Sequence, residues 1–116
     1  QMSLSSLQFE QAAQRNTKGI LLLSEHQCRE AISEFSRAIF LIPDDPSFYV
    51  NRGEAFALLS DFSNAVANFR HAVKLDSHNK EIVRRLGTLI YVYSQLMLDG
   101  RRWKEAIWLM DEAIKR

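Results

Sequence analysis

The sequence predicts an all-α protein built from stacked pairs of antiparallel helices. Three observations predict it. Three of the four glycines, Gly19, Gly53 and Gly87, stand 34 residues apart, each inside a helical apolar pattern. The block Ala31-x-x-x-Phe35-x-x-Ala38 returns at the same interval as Ala65-x-x-x-Phe69-x-x-Ala72. No segment alternates apolar and polar residues with the period of two that marks a half-buried strand. Glycine costs a helix interior about 1 kcal/mol relative to alanine. Its return at a constant interval implies a geometric requirement: close backbone approach between two packed helices, once in each structural unit.

The elements follow in order. A first helix over 6–24 has Ser5 and Gln8 at capping-box spacing. A second, over 27–41, ends before Pro43, because proline cannot continue a helix. A third, over 47–59, has Pro46 at its first turn and the face Tyr49, Arg52, Gly53, Phe56 at i, i+3, i+4, i+7. A fourth starts after Asp61 and runs to 75. The fifth begins in register, with Val83, Leu86, Gly87 and Ile90. The signature that should follow at Asp99 arrives seven residues late, as Trp103-x-x-Ala106-x-x-x-Met110-x-x-Ala113. Seven residues are about two helical turns, so the fifth helix is read as elongated, over 79–98. It turns at Asp99-Gly100, and a sixth helix covers 102–115. The units are 12–45, 46–79 and 80–113 or beyond, in one domain over 1–116. Residues 1–11 could extend the first helix, be a tag, or lie in a groove.

Composition excludes several function classes. With 116 residues, 47% hydrophobic and 25% charged, the chain suits one folded core. A net charge of +1 gives no basic field to favour nucleic acid or an anionic membrane. No apolar run approaches the ~18 residues needed to span a bilayer, and no signal peptide is visible. Cys28 is the single cysteine, which fits a reducing compartment, cytoplasmic or nuclear. His26, His71 and His78 are scattered, and a metal site needs three or four converging ligands. Asp44-Asp45 beside the prolines reads as capping rather than acid/base chemistry. No phosphate loop, nucleophile elbow or HExxH occurs. The expectation is no enzyme, no cofactor and no metal. Lys74, Lys80, Arg84, Arg85, Arg101 and Arg102 make the C-terminal half basic, as a solvated surface or a patch for an acidic peptide.

The pattern resembles the tetratricopeptide repeat (TPR) family, whose 34-residue unit carries Gly or Ala in its first helix, A-x3-F-x2-A in its second and a terminal proline. The second unit matches through Tyr49, Gly53, Phe56, Asp61, Phe62, Ala65, Phe69, Ala72, Leu75 and Asp76, and departs at Ser77. The first keeps Gly19, Leu22, Ala31, Phe35, Ala38 and Pro43, and departs at Arg15. Lys18 and Arg52 precede the glycines where leucine is commoner. The resemblance implies a right-handed α-solenoid of three helix pairs, about six antiparallel helices, with the third unit elongated.

It also implies a non-catalytic module that binds a peptide or helix of another protein, as a scaffold or adaptor, in a groove lined by the first helices. The groove positions are Asn16, Ile20 and Leu23; Ser47, Val50, Asn51, Glu54, Ala57 and Leu58; and Glu81, Arg84, Arg85, Thr88 and Tyr91. Leu23 and Leu58 could instead be core. Some family members clamp the carboxylate of a chaperone tail. Asn51 and Arg85 match two of the five clamp places, but Asn16, Ile20 and Glu81 stand where Lys, Asn and Lys are wanted. Ile20 cannot donate and Glu81 would repel a carboxylate. Ile107, Trp108, Leu109 and Ile114 put apolar surface on the last helix, where a solenoid usually has a polar cap. Further repeats of a longer protein or a second copy of the chain would cover it.

Overall fold

The computed structural model describes residues 3–99, 108–109 and 111–113, and all regular structure among them is α-helical. Five continuous helices appear: α1 (Leu4–Ser24), α2 (Cys28–Leu41), α3 (Pro46–Leu58), α4 (Phe62–Leu75) and α5 (Lys80–Asp99). Residues 108–109 and 111–113 are also helical. Packing follows chain order. α1 lies on α2 and α3 on α4 within pairs, while α2 on α3 and α4 on α5 join one pair to the next. This is an α-solenoid, and α5, at 20 residues, is longer than α2, α3 and α4 and close to the 21 of α1.

The turns explain where each helix stops. α1 and α3 both end in a left-handed residue, His26 at φ 63° and Ser60 at φ 61°, which stand 34 positions apart. His26 N–H donates to Leu23 O at 3.0 Å and Gln27 N–H to Leu22 O at 2.9 Å. Ser60 N–H donates to Ala57 O and Asp61 N–H to Phe56 O, each at 2.9 Å. These paired bonds are the Schellman arrangement, which satisfies carbonyls left open at a helix end. Asp61 then caps α4, accepting from Asn64 N–H at 3.3 Å. Asp45 caps α3, accepting from Ser47 N–H at 2.9 Å, with Pro46 as the first helical residue. Asn79 accepts from Ile82 N–H at 3.2 Å at the start of α5. The expected capping box at Ser5 is corrected. Ser3 is the cap, accepting from Ser6 N–H at 3.1 Å, because the helix continues back to Leu4 and leaves Ser5 inside it. Residues 4–11 therefore extend the first helix.

The repeated small and aromatic residues form the core. Ala31, Ala38, Ala65 and Ala72 are 0% exposed, and Phe35 and Phe69 are 0% and 3% exposed. The glycine requirement differs from the expected backbone approach. A Cβ on Gly19 would sit 2.7 and 2.8 Å from Cδ1 and Cζ of the Phe35 ring, and closer still to Cε1. On Gly53 it would meet Phe69 Cδ2 at 2.9 Å and Cε2 at 3.0 Å. Each glycine thus makes room for the neighbouring helix's phenylalanine ring. Gly87 is different: it is exposed, and a Cβ there meets nothing within 4 Å among the described residues. The ring's place in the third unit falls to Met110, which lies outside the described residues.

Two positions of the repeat change chemistry along the stack. The residue before each glycine is Lys18, Arg52 or Leu86, and the residue before the ring position opposite is Glu34, Asn68 or Leu109. Glu34 is 5% exposed and accepts from Arg15 at 3.0 Å and Arg37 at 3.3 Å. Asn68 is 6% exposed and accepts from Arg52 Nε at 2.7 Å, while Arg52 Nη1 donates to Ser36 Oγ at 3.2 Å. Burial pushes the Arg52 pKa down, with Tyr49 opposing. In the third unit Leu86 and Leu109, 3% and 7% exposed, make both positions apolar.

Two stability outcomes follow. In urea unfolding, Gly87→Ala stands at or above the parent by up to about 1 kcal/mol, its helix-propensity gain. Gly19→Ala falls below the parent by about 1–3 kcal/mol, because the buried Phe35 ring cannot yield. Equal stability of the two variants would contradict the ring contact. Asn68→Ala loses about 1–3 kcal/mol by leaving the half-buried Arg52 without its main acceptor. The double variant Arg52→Leu with Asn68→Leu recovers most of that loss, as the leucines of unit three suggest. Equal loss in the single and double variants would show that the polar pair is not what Asn68→Ala breaks.

Candidate functional site

Successive first helices of a solenoid lie side by side, and here α3 and α5 stand apart except where their side chains Glu54 and Arg85 meet. The second helix of the pair, α4, lies against both. The gap is a cavity of about 450 Å³. α3 contributes Glu54, Ala57 and Leu58, spaced i, i+3, i+4 along one face; α4 contributes Phe62 and Phe69; α5 contributes Arg84, Arg85, Thr88, Leu89 and Val92. The repeat thus places an aromatic floor between two walls.

The walls are charged yet balanced. Arg85 pairs with Glu54 across the gap, and its guanidinium carbon lies 5.3 Å from the centroid of the Phe69 ring, within cation–π range. Arg84 holds Glu81 through Nε at 3.1 Å and Nη2 at 2.6 Å. The bond from Arg84 lowers the Glu81 pKa, and the same bond raises that of Arg84. A depressed carboxyl pKa means that this contact persists above the usual carboxylate range and is lost as pH falls through the lowered value. Thr88 Oγ1 donates to Arg84 O at 3.2 Å. Beyond the cavity, Asn51 Nδ2 donates to Asn16 Oδ1 at 2.8 Å, linking α3 to α1.

The expected groove residues divide accordingly. Glu54, Ala57, Leu58, Arg84, Arg85 and Thr88 come together in one cavity. Asn16 and Asn51 meet beside it. Ile20 and Tyr91 are exposed at 49% and 62%, and Ser47 and Glu81 are exposed. Val50 is 7% exposed within the core, so its side chain has little surface for a ligand. Leu23 packs against the Ala31, Phe35 and Ala55 cluster, whereas Leu58 is 65% exposed. Sequence reasoning missed Phe62, Phe69, Leu89 and Val92 as lining residues. The phenylalanines read as repeat signature, and Leu89 and Val92 lie four and seven positions after Arg85, a helical spacing that could have found them.

The last helix also divides. Trp108 is 56% exposed, with the Arg70 guanidinium carbon 5.9 Å from its ring centroid, but Leu109 is buried in the core. Ile107 and Ile114, proposed with them as an association surface, lie outside the described residues, as do Arg101 and Arg102 of the basic group. Lys74 and Lys80 are exposed. A larger cavity of about 780 Å³ between α1 and α2 is lined mainly by polar side chains, among them Gln11, Gln14, Arg15, Lys18 and Arg37. It lacks the apolar floor that makes the α3–α5 gap the better binding candidate. Among the described residues no group of three His, Cys, Asp or Glu side chains could hold a metal, and no helix is long and apolar enough to cross a membrane.

Helix pairs packed in chain order around an aromatic-floored gap define the class: a helical-repeat solenoid. The chain belongs to the tetratricopeptide repeat family. It is 35% identical over 94 residues to tetratricopeptide repeat protein 16 of Mus musculus, an alignment covering 76% of this chain and 12% of that protein. The chain thus spans about an eighth of the length of the curated relatives it matches. Its backbone is similar to the Arabidopsis OM64 TPR domain, with a TM-score of 0.68, 25% identity, and coverage of 92% of this chain and 83% of that one. It is also similar to the first TPR of Spaghetti (RPAP3) bound to the HSP90 peptide SRMEEVD, with a TM-score of 0.71, 22% identity, and coverage of 92% and 93%. No protein-family model matches the chain.

Proposed function

We propose that this chain is a non-catalytic protein-interaction module that receives a peptide or helix of another protein in the gap between α3 and α5. The observation that carries the reading is the accessible apolar floor of Leu58, Phe62, Leu89 and Val92 between charge-balanced walls. Burying such a floor supplies affinity at roughly 25 cal/mol per Å² of apolar surface, and the rigid helix pairs hold it ready before the partner arrives. The RPAP3 domain, seen with a peptide on a similar backbone, supports a peptide-sized occupant. The chaperone-tail version has less support. Arg85 is engaged by Glu54, Asn51 by Asn16, and Glu81 and Ile20 offer a carboxylate nothing. Self-association through the last helix is the second reading, favoured by the exposed Trp108.

A photo-crosslinking residue at position 88, in the gap, is expected to capture a discrete partner protein in cells that make the chain. The same residue at position 40 on α2, where Phe40 is 87% exposed outside the gap, is expected to capture none. Capture from position 40 and not 88 would overturn the groove reading. Crosslinks only from position 108, joining two copies, would establish self-association in its place.

A further inference from the structure

We infer that the occupant of the α3–α5 gap is an amphipathic helix with an uncharged apolar face, not an extended or acidic segment. The inference rests on the groove reading above and goes on to the partner's chemistry.

The first argument is hydrogen bonding. The donor side chains lining the cavity are Arg84, Arg85 and Thr88. Each is already engaged within the chain, by Glu81, Glu54 and the Arg84 carbonyl respectively. An extended segment brings an unpaired N–H and C=O with every residue, and burying either without a partner is unfavourable. A helix arrives with its backbone groups paired to one another. Both guanidinium groups are thus oriented by ion pairs of their own, and most of the remaining lining, Ala57, Leu58, Phe62, Leu89 and Val92, offers a backbone group no partner, which favours a helix.

The second argument is charge complementarity. Both cations of the cavity are matched by carboxylates, so the walls present no net charge. A carboxylate entering the gap would meet cations already paired, stand close to the like charge of Glu54, and lose its own hydration. A neutral apolar face loses nothing of that kind.

The third argument is shape. α5 is a helix of 20 residues against 13 for α3, and the added length is about two turns. Leu89, Val92 and Leu96 follow one another at i, i+3 and i+7, so they share a face, and Val92 and Leu96 are 41% and 48% exposed. This apolar lane starts in the cavity and runs on past it along the extra turns. It suits another helix laid alongside, in the helix-in-groove mode.

The test is selection from a peptide display library containing both helix-templated and unstructured members, against the 116-residue chain. The expected binders carry apolar residues at i, i+3, i+4 and i+7. They lose about tenfold or more in affinity against Val92→Glu, a loss of about 1.4 kcal/mol. They lose binding when a central residue is replaced by proline, which breaks a helix, and they retain affinity against Arg85→Ala. Leu58→Glu is the second groove variant should Val92→Glu lose helicity by circular dichroism. Binders that are acidic, tolerate proline and weaken against Arg85→Ala would overturn the helix inference while leaving the groove in place. Binders that ignore both groove variants, or a library yielding none, would overturn the groove itself.

Discussion

The structure depends on two phenylalanine rings lying where a side chain would otherwise be. Phe35 sits against Gly19 and Phe69 against Gly53, each closer than any Cβ would allow. Interior rings cannot move aside, because protein cores are packed about as densely as organic crystals. The contact therefore fixes how α1 lies on α2 and how α3 lies on α4. Once the two pairs have the same internal geometry, stacking one on the next follows from the shared alanines and from the left-handed turns at His26 and Ser60. The gap between α3 and α5 is a by-product of that stacking, and Phe69 serves both purposes. One part of its ring fills the space over Gly53, and the ring also lines the cavity beside Arg85.

In the third unit no such ring contact is found among the described residues. Gly87 has open space about it among the described residues, and the Lys or Arg before the glycine becomes leucine. In the first two units the buried polar residues before the rings are held by neighbours: Glu34 by Arg15 and Arg37, and Asn68 by Arg52, which also reaches Ser36. Arg52 reaches from its own unit to α2 of the preceding one, so these polar contacts also help set the register between units. Buried polar pairs of this kind contribute little net stability over well-packed apolar residues. What they add is directional, because a guanidinium has few positions that satisfy several acceptors together.

Much of the fold was legible in the sequence because it is periodic. The 34-residue interval located the helix pairs, and the seven-residue delay of the last signature located the long α5. The glycines were legible as positions but not as contacts. A period reveals that something must be small, not whether backbone or ring fills the space. Of the residues that the family resemblance places in a groove, six converge on the cavity. Val50 and Leu23 point inward instead, because the boundary between the groove face and the packing face of a helix is only one residue step wide. The pairing of Arg85 with Glu54 was not legible. It joins helices 31 positions apart and depends on their separation in space.

A double-mutant cycle on Gly19 and Phe35 tests the central contact most directly. Gly19→Ala, Phe35→Leu and the double variant are compared by urea unfolding. If the ring is what forbids a side chain at position 19, the alanine penalty shrinks once the ring is gone, and the two substitutions couple by about 1 kcal/mol or more. Strict additivity would mean that the ring and the glycine do not sense each other, and the packing account of the helix pairs would be wrong.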